Sequence, residues 1–132
     1  MSAPRSRAGA DAIRPPQAIV LVEDHPELAN YLGQRLREYA PVVIFTDAES
    51  ALAHLRQLGC RALISDVGLP GMSGVELCRQ IRMNANLAAI PVILMSAMSS
   101  DASRHAAMDA GATAFLTKPF KIGDLKAALA TG

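Results

Sequence analysis

Five short, mostly apolar runs punctuate the chain, and each stops at a polar side chain after no more than six residues. Residues 18–22 (AIVLV) contain no polar position, which suits a strand of a parallel sheet covered on both faces. Residues 41–45, 62–66, 90–95 and 112–116 supply four more such strands. The stretches between them have the helical period. Leu28, Ala29, Leu32, Leu36 and Tyr39 fall on one face of a first helix, which Pro26 suits at its first turn. Leu52, Leu55 and Leu58 share a face of a second helix, stopped by Gly59, and Val75, Leu77, Cys78 and Ile81 line a third. A fourth runs from a cap among Ser99, Ser100 and Asp101 to Gly111. Its apolar face is thin, mostly alanine with Met108, so it is expected to be the least firmly held. A last short helix carries Leu125 and Leu129.

Local signals place the helix starts. Ser73 with Glu76, and Thr46 with Glu49, have the spacing of a capping box. Strands alternating with helices require right-handed parallel crossovers. The expected fold is therefore α/β: a doubly wound, five-stranded parallel sheet in the flavodoxin-like order 2-1-3-4-5, with five helices on both faces. Residues 1–17 read as a disordered leader or linker ending near Pro15 and Pro16, and residues 18–132 as one domain.

Composition excludes several classes. The net charge is +1, and the first seventeen residues hold Arg5, Arg7 and Arg14 against Asp11, which leaves the remainder at −1. Without a basic stripe, and with two tyrosines, three phenylalanines and no tryptophan, the chain is not expected to bind nucleic acid. No apolar run reaches the length of a membrane span, and no apolar segment backs the N-terminal arginines as in a secretory signal. Cys60 and Cys78 have no metal-ligand spacing and read as reduced thiols of a cytoplasmic protein.

In an open α/β sheet, chemistry sits outside the carboxyl ends of the strands. Glu23 and Asp24 follow the first strand, Asp66 ends the third, Ser96 follows the fourth and Lys118 the fifth. Each has an ordinary structural role available, as a helix cap, a loop hydrogen bond or a solvated lysine. Four strand ends placing five polar groups on one edge together favour a site. Three carboxylates in close quarters need protons or a cation. A hard divalent ion such as Mg²⁺ suits oxygen donors, lysine is a point charge for phosphate, and an aspartate can attack phosphorus. These are the parts of a phosphoryl-transfer site.

With these residues in place, the chain resembles the receiver domains of two-component response regulators, from about residue 18 to 130. The resemblance rests on Val22-Glu23-Asp24, on Asp66 with Pro70 and Gly74, on Ile93 to Ala97 around Ser96, and on Lys118-Pro119-Phe120. The intervals of 30 residues from Asp66 to Ser96 and 52 to Lys118 also match. It implies that Asp66 accepts a phosphoryl group from a phosphohistidine, with Glu23, Asp24, Asp66 and the backbone carbonyl of Gly68 holding Mg²⁺, Asp24 foremost. Ser96 and Lys118 would bind the phosphoryl oxygens, and Lys118–Pro119 would be cis. Phe115 stands at the rotating aromatic switch, expected to turn inward as Ser96 and its loop move. The fourth helix, fifth strand and fifth helix would then form the face that partners read.

The implied partners are a sensor histidine kinase or a histidine phosphotransfer protein, with an unidentified downstream protein. Phosphorylation-dependent homodimers are among the outcomes such a domain allows. The residues 64–67 (ISDV) and 116–120 (LTKPF) resemble those of receivers fused to hybrid kinases. Such a domain is not an ordinary enzyme: it catalyses its own aspartyl phosphorylation and a slow autodephosphorylation. Two rival readings stand beside it. A degenerate receiver would act only as an interaction module. A small phosphohydrolase using Asp66 would need a group to activate water, and His25 is the sole histidine near the edge, His54 and His105 lying on helices.

Overall fold

The computed structural model describes residues 18–131, so the reading of residues 1–17 as a leader lies outside the described residues. Strands and helices alternate in chain order. They are β1 (Ile19–Val22), α1 (Pro26–Leu36), β2 (Val42–Phe45), α2 (Ala48–Leu58), β3 (Ala62–Asp66), α3 (Gly74–Met83), β4 (Val92–Ser96), α4 (Asp101–Asp109), β5 (Ala114–Thr117) and α5 (Ile122–Thr131). All strand pairs are parallel and the sheet order is β2-β1-β3-β4-β5, the order expected from the sequence.

The two-residue alternation of each strand divides the interior into two cores. Val20, Val22, Leu63, Val92, Leu94 and Phe115 face the side covered by α2, α3 and α4. Ile19, Leu21, Ile64, Ile93 and Met95 face the side covered by α1 and α5, where Leu32, Leu36 and Leu125 meet them. β1 and β4 are buried at every position, which is why their sequences lack polar alternation. Both cysteines are free and buried. Burial pushes the Cys60 thiol up to about 12 and also raises Cys78, so neither is a thiolate at neutral pH.

Several helix details differ from expectation. α1 ends at Leu36, so Tyr39 leaves the apolar face and stands exposed beneath the guanidinium of Arg61. Leu58, in the last turn of α2, is 63% exposed because the helix outruns its contact with the sheet. α2 is capped by Asp47 rather than Thr46: Asp47 Oδ1 accepts from the Ser50 amide at 2.7 Å. Glu49 therefore completes no capping box, and its carboxylate reaches the loop after β3 instead. At α3 half of the expected box forms. Ser73 Oγ accepts from the Glu76 amide, while the Glu76 carboxylate turns to Gln80 and Arg79. Ser100 caps α4. That helix buries only Ala107 and leaves Met108 exposed, so the thin face is thinner still.

No helix among the described residues is long and apolar enough to cross a membrane.

Candidate functional site

Parallel strands all point their carboxyl ends the same way, so their terminal residues gather at one edge. There a cleft of about 560 Å³ is lined by Asp24, His25, Glu27, Asp66, Gly68, Ser96, Met98 and Lys118 among others. Asp66 is the last residue of β3 and Ser96 the last of β4. The Val67 amide bonds the Met95 carbonyl at 2.8 Å, and the Lys118 amide bonds the Ser96 carbonyl at 2.7 Å. Backbone pairing thus continues past the sheet and sets Asp66, Ser96 and Lys118 side by side.

Lys118 is the centre of charge. Its ammonium donates to Glu23 Oε1 at 2.8 Å and stands 3.1 Å from Asp66 Oδ1. Glu23 is fully buried, and its other oxygen accepts from the His25 amide at 3.1 Å. A buried carboxylate held by an ammonium and an amide is a satisfied one. Asp66 is 7% exposed, and burial, the largest influence, raises its pKa above the ordinary carboxylate value. Lys118 works against that rise, while Glu23 and Asp24 add to it. For Lys118 itself burial disfavours the ammonium, but the bonds and charges of Glu23 and Asp66 outweigh it and its pKa is raised. The lysine therefore stays charged through the neutral range.

Asp24 is exposed at the mouth of the cleft. Glu23, Asp24 and His25 each offer a donor atom within 4.8 Å of the others. Three carboxylates against one ammonium leave the site negative, and carboxylate oxygens beside a backbone carbonyl are the donors a hard divalent cation takes. Gly68 lies next to Asp66: a side chain at Gly68 would begin 4.0 Å from Asp66 Oδ2. Two further glycines shape the loop. A Cβ at Gly74 would collide with the Asp66 carbonyl, and Gly71 holds φ at +73°.

Ser96 Oγ accepts from the Met98 amide at 3.0 Å, which ties the loop leading to α4 to the serine. Phe115 packs in the core on the side of α2, α3 and α4. Its ring is already buried, 6% exposed, with the Arg104 guanidinium 5.1 Å above it. An arginine over an aromatic face is an attractive contact. The Lys118–Pro119 bond is cis, as expected. Sequence reasoning placed all of the polar site residues at this edge but missed Glu49, whose contact spans 23 residues of chain, and Arg104, because helical spacing does not show which exposed side chain of α4 lies over β5.

The fold and the cleft define a class, and comparison with known proteins agrees. The chain belongs to the response regulator receiver domain family, whose pattern matches residues 19–130. It is similar to the KDP operon transcriptional regulatory protein KdpE of Escherichia coli, 37% identical over 114 residues that make up 84% of this chain and 48% of that protein. The chain spans about half the length of the curated relatives it matches. Among solved structures it is similar to the receiver domain of the sensor histidine kinase PA1611 from Pseudomonas aeruginosa, determined with a magnesium ion coordinated in its active site cleft. That match has a TM-score of 0.80 and 29% identity, covering 88% of this chain and 96% of that one. A BeF3-activated DrrB receiver domain matches with a TM-score of 0.79 and 28% identity, covering 88% of this chain and 96% of that one. The protein is thus a receiver domain of two-component signalling.

Proposed function

We propose that Asp66 is the phosphoacceptor of this receiver, taking a phosphoryl group from a phosphohistidine on a histidine kinase or phosphotransfer protein. The observation that carries the reading is the Lys118 ammonium set between the Asp66 and Glu23 carboxylates at the mouth of a cleft. An Asp66 carboxylate oxygen attacks phosphorus as the P–N bond breaks. The electron pair returns to the imidazole nitrogen, which regains a proton, and an aspartyl phosphate remains. Lys118 and the Ser96 hydroxyl would hold the phosphoryl oxygens. Glu23, Asp24, Asp66 and the Gly68 carbonyl would hold Mg²⁺, Asp24 foremost, and Glu23 would also anchor Lys118. When bound, the ion supplies charge neutralisation at the transferring group. The same cation in PA1611 supports this assignment.

Filling the cleft would draw Ser96 Oγ, and with it the Met98 amide, toward the phosphate. The face formed by α4, β5 and α5 would then present a changed surface to a downstream partner. The test is exposure of the purified protein to acetyl phosphate with Mg²⁺ and measurement of its mass. One added phosphate is expected, absent from Asp66→Asn and from samples with chelator. No added mass under any donor would leave the interaction-module reading in its place.

A further inference from the structure

The connection between β3 and α3 enters the cleft at Gly68 and leaves it at Gly71 and Met72, against α2. It is fastened at both ends. At the near end the Val67 carbonyl accepts from the amides of Leu69 at 3.1 Å and Gly74 at 3.0 Å. At the far end the fastening comes from another element: Glu49 Oε2 accepts from the Met72 amide at 2.9 Å, across 23 residues of chain. The loop is shaped to admit that carboxylate. Gly71 adopts φ +73°, and a Cβ there would come within 2.5 Å of the same Glu49 oxygen. Glu49 is exposed, and Asp47 already caps α2, so the helix does not need this side chain for its own start.

We propose that Glu49 is a positioning residue for the cation site. By fixing the Met72 amide it holds residues 67–72 in the arrangement that keeps the Gly68 backbone beside Asp66, so divalent-cation affinity depends on a side chain that touches no ligand. The proposal rests on the reading of the cleft given above. It differs from a long-range charge effect, because a glutamine at position 49 keeps an acceptor oxygen for Met72 and loses the charge.

The experiment titrates the full chain, Glu49→Ala and Glu49→Gln with Mn²⁺, following free ion by electron paramagnetic resonance. Amide exchange at residues 67–72 is measured by NMR on the same proteins without metal, and thermal unfolding is recorded for each. A hydrogen bond at an exposed site shifts an equilibrium by about three- to tenfold. Glu49→Ala is expected to weaken Mn²⁺ binding by that factor and to speed exchange at Met72. Glu49→Gln should stay within about twofold of the parent and keep Met72 protected. Equal affinity in Glu49→Ala, even with a lowered melting temperature, would reduce Glu49 to a stabilising contact and overturn the proposal. Weakening in Glu49→Gln equal to that in Glu49→Ala, with Met72 still protected, would assign the effect to charge and overturn it as well. Absence of Mn²⁺ uptake by the parent chain would reject the cleft reading itself, before any variant is compared.

Discussion

Asp66 is where stability and function pull apart. Burial raises its pKa more than Lys118 lowers it, so the folded protein holds the ionised form at a cost. The sign follows from linkage. A group whose native pKa lies above its unfolded value of 3.8 contributes stability below that value and loses it as pH rises through the native pKa. At neutral pH the carboxylate is therefore a liability, which the proposed phosphoacceptor role would account for. Asp66→Asn should raise the melting temperature at pH 7 without added metal, because it removes the charge that burial disfavours. The gain should shrink as pH falls and vanish below 3.8, where the parent aspartate is protonated in both states. Calorimetry across that range checks the point, and a variant less stable than the parent at pH 7 would contradict it. Lys118 keeps Glu23 as its partner in the variant, so no ammonium is stranded.

At the scale of elements, α4 is the helix with the fewest buried residues. It buries Ala107 alone along its nine residues, and its attachments include the Ser96–Met98 bond before it, the Arg104–Phe115 contact along it and the Cys78 thiol donating to the Ala110 carbonyl at its end. Bistable parts are drawn from such low-stability regions. With Mg²⁺ and beryllofluoride as a phosphoryl mimic, altered amide exchange should concentrate at residues 97–120, and Ser96→Ala should blunt it. Changes centred on α2 would remove both the switch and its proposed face. The weakness of α4 was legible as a run of alanines, but the exposure of Met108 was not. Helical spacing tells which residues share a stripe without telling where the stripe stops meeting the sheet. Leu58 and Tyr39 were misplaced for the same reason, each lying at or beyond the end of its helix. The cap of α2 slipped from Thr46 to Asp47 because two adjacent side chains could each serve and only backbone geometry chooses.

Across the whole molecule, function and anchorage occupy opposite edges of the sheet. The polar ends of the strands were readable because a parallel sheet has to deliver them to one edge. The opposite edge was silent in the sequence, since what organises it is one arginine reaching between connections far apart in the chain. Arg82, at the end of α3, donates through Nε to the Gly111 carbonyl at 2.8 Å. Through Nη1 it donates to the carbonyls of Ala88 at 3.1 Å and Ile90 at 2.7 Å, and through Nη2 to Thr113 Oγ1 at 3.3 Å. Thr113 Oγ1 in turn accepts from the Val92 amide at 3.0 Å, so the start of β4 is tied in. Gly111, at φ +100°, leaves room for the arginine stem, which a Cβ would meet at 2.7 Å. Arg82→Met keeps most of the stem and removes every donor. Part of this network is open to water, which can replace some bonds, so the expected loss is about 1–3 kcal/mol rather than the sum of four hydrogen bonds. Because Asp66 and Ser96 stand at the carboxyl ends of β3 and β4, at the other edge of the sheet from the bonds of Arg82, phosphoryl acceptance from acetyl phosphate should persist in the folded variant. Chemical denaturation and the mass assay together decide the matter: a stable variant would empty the network of energetic meaning, and a folded one that no longer accepts phosphate would show that the two edges are coupled.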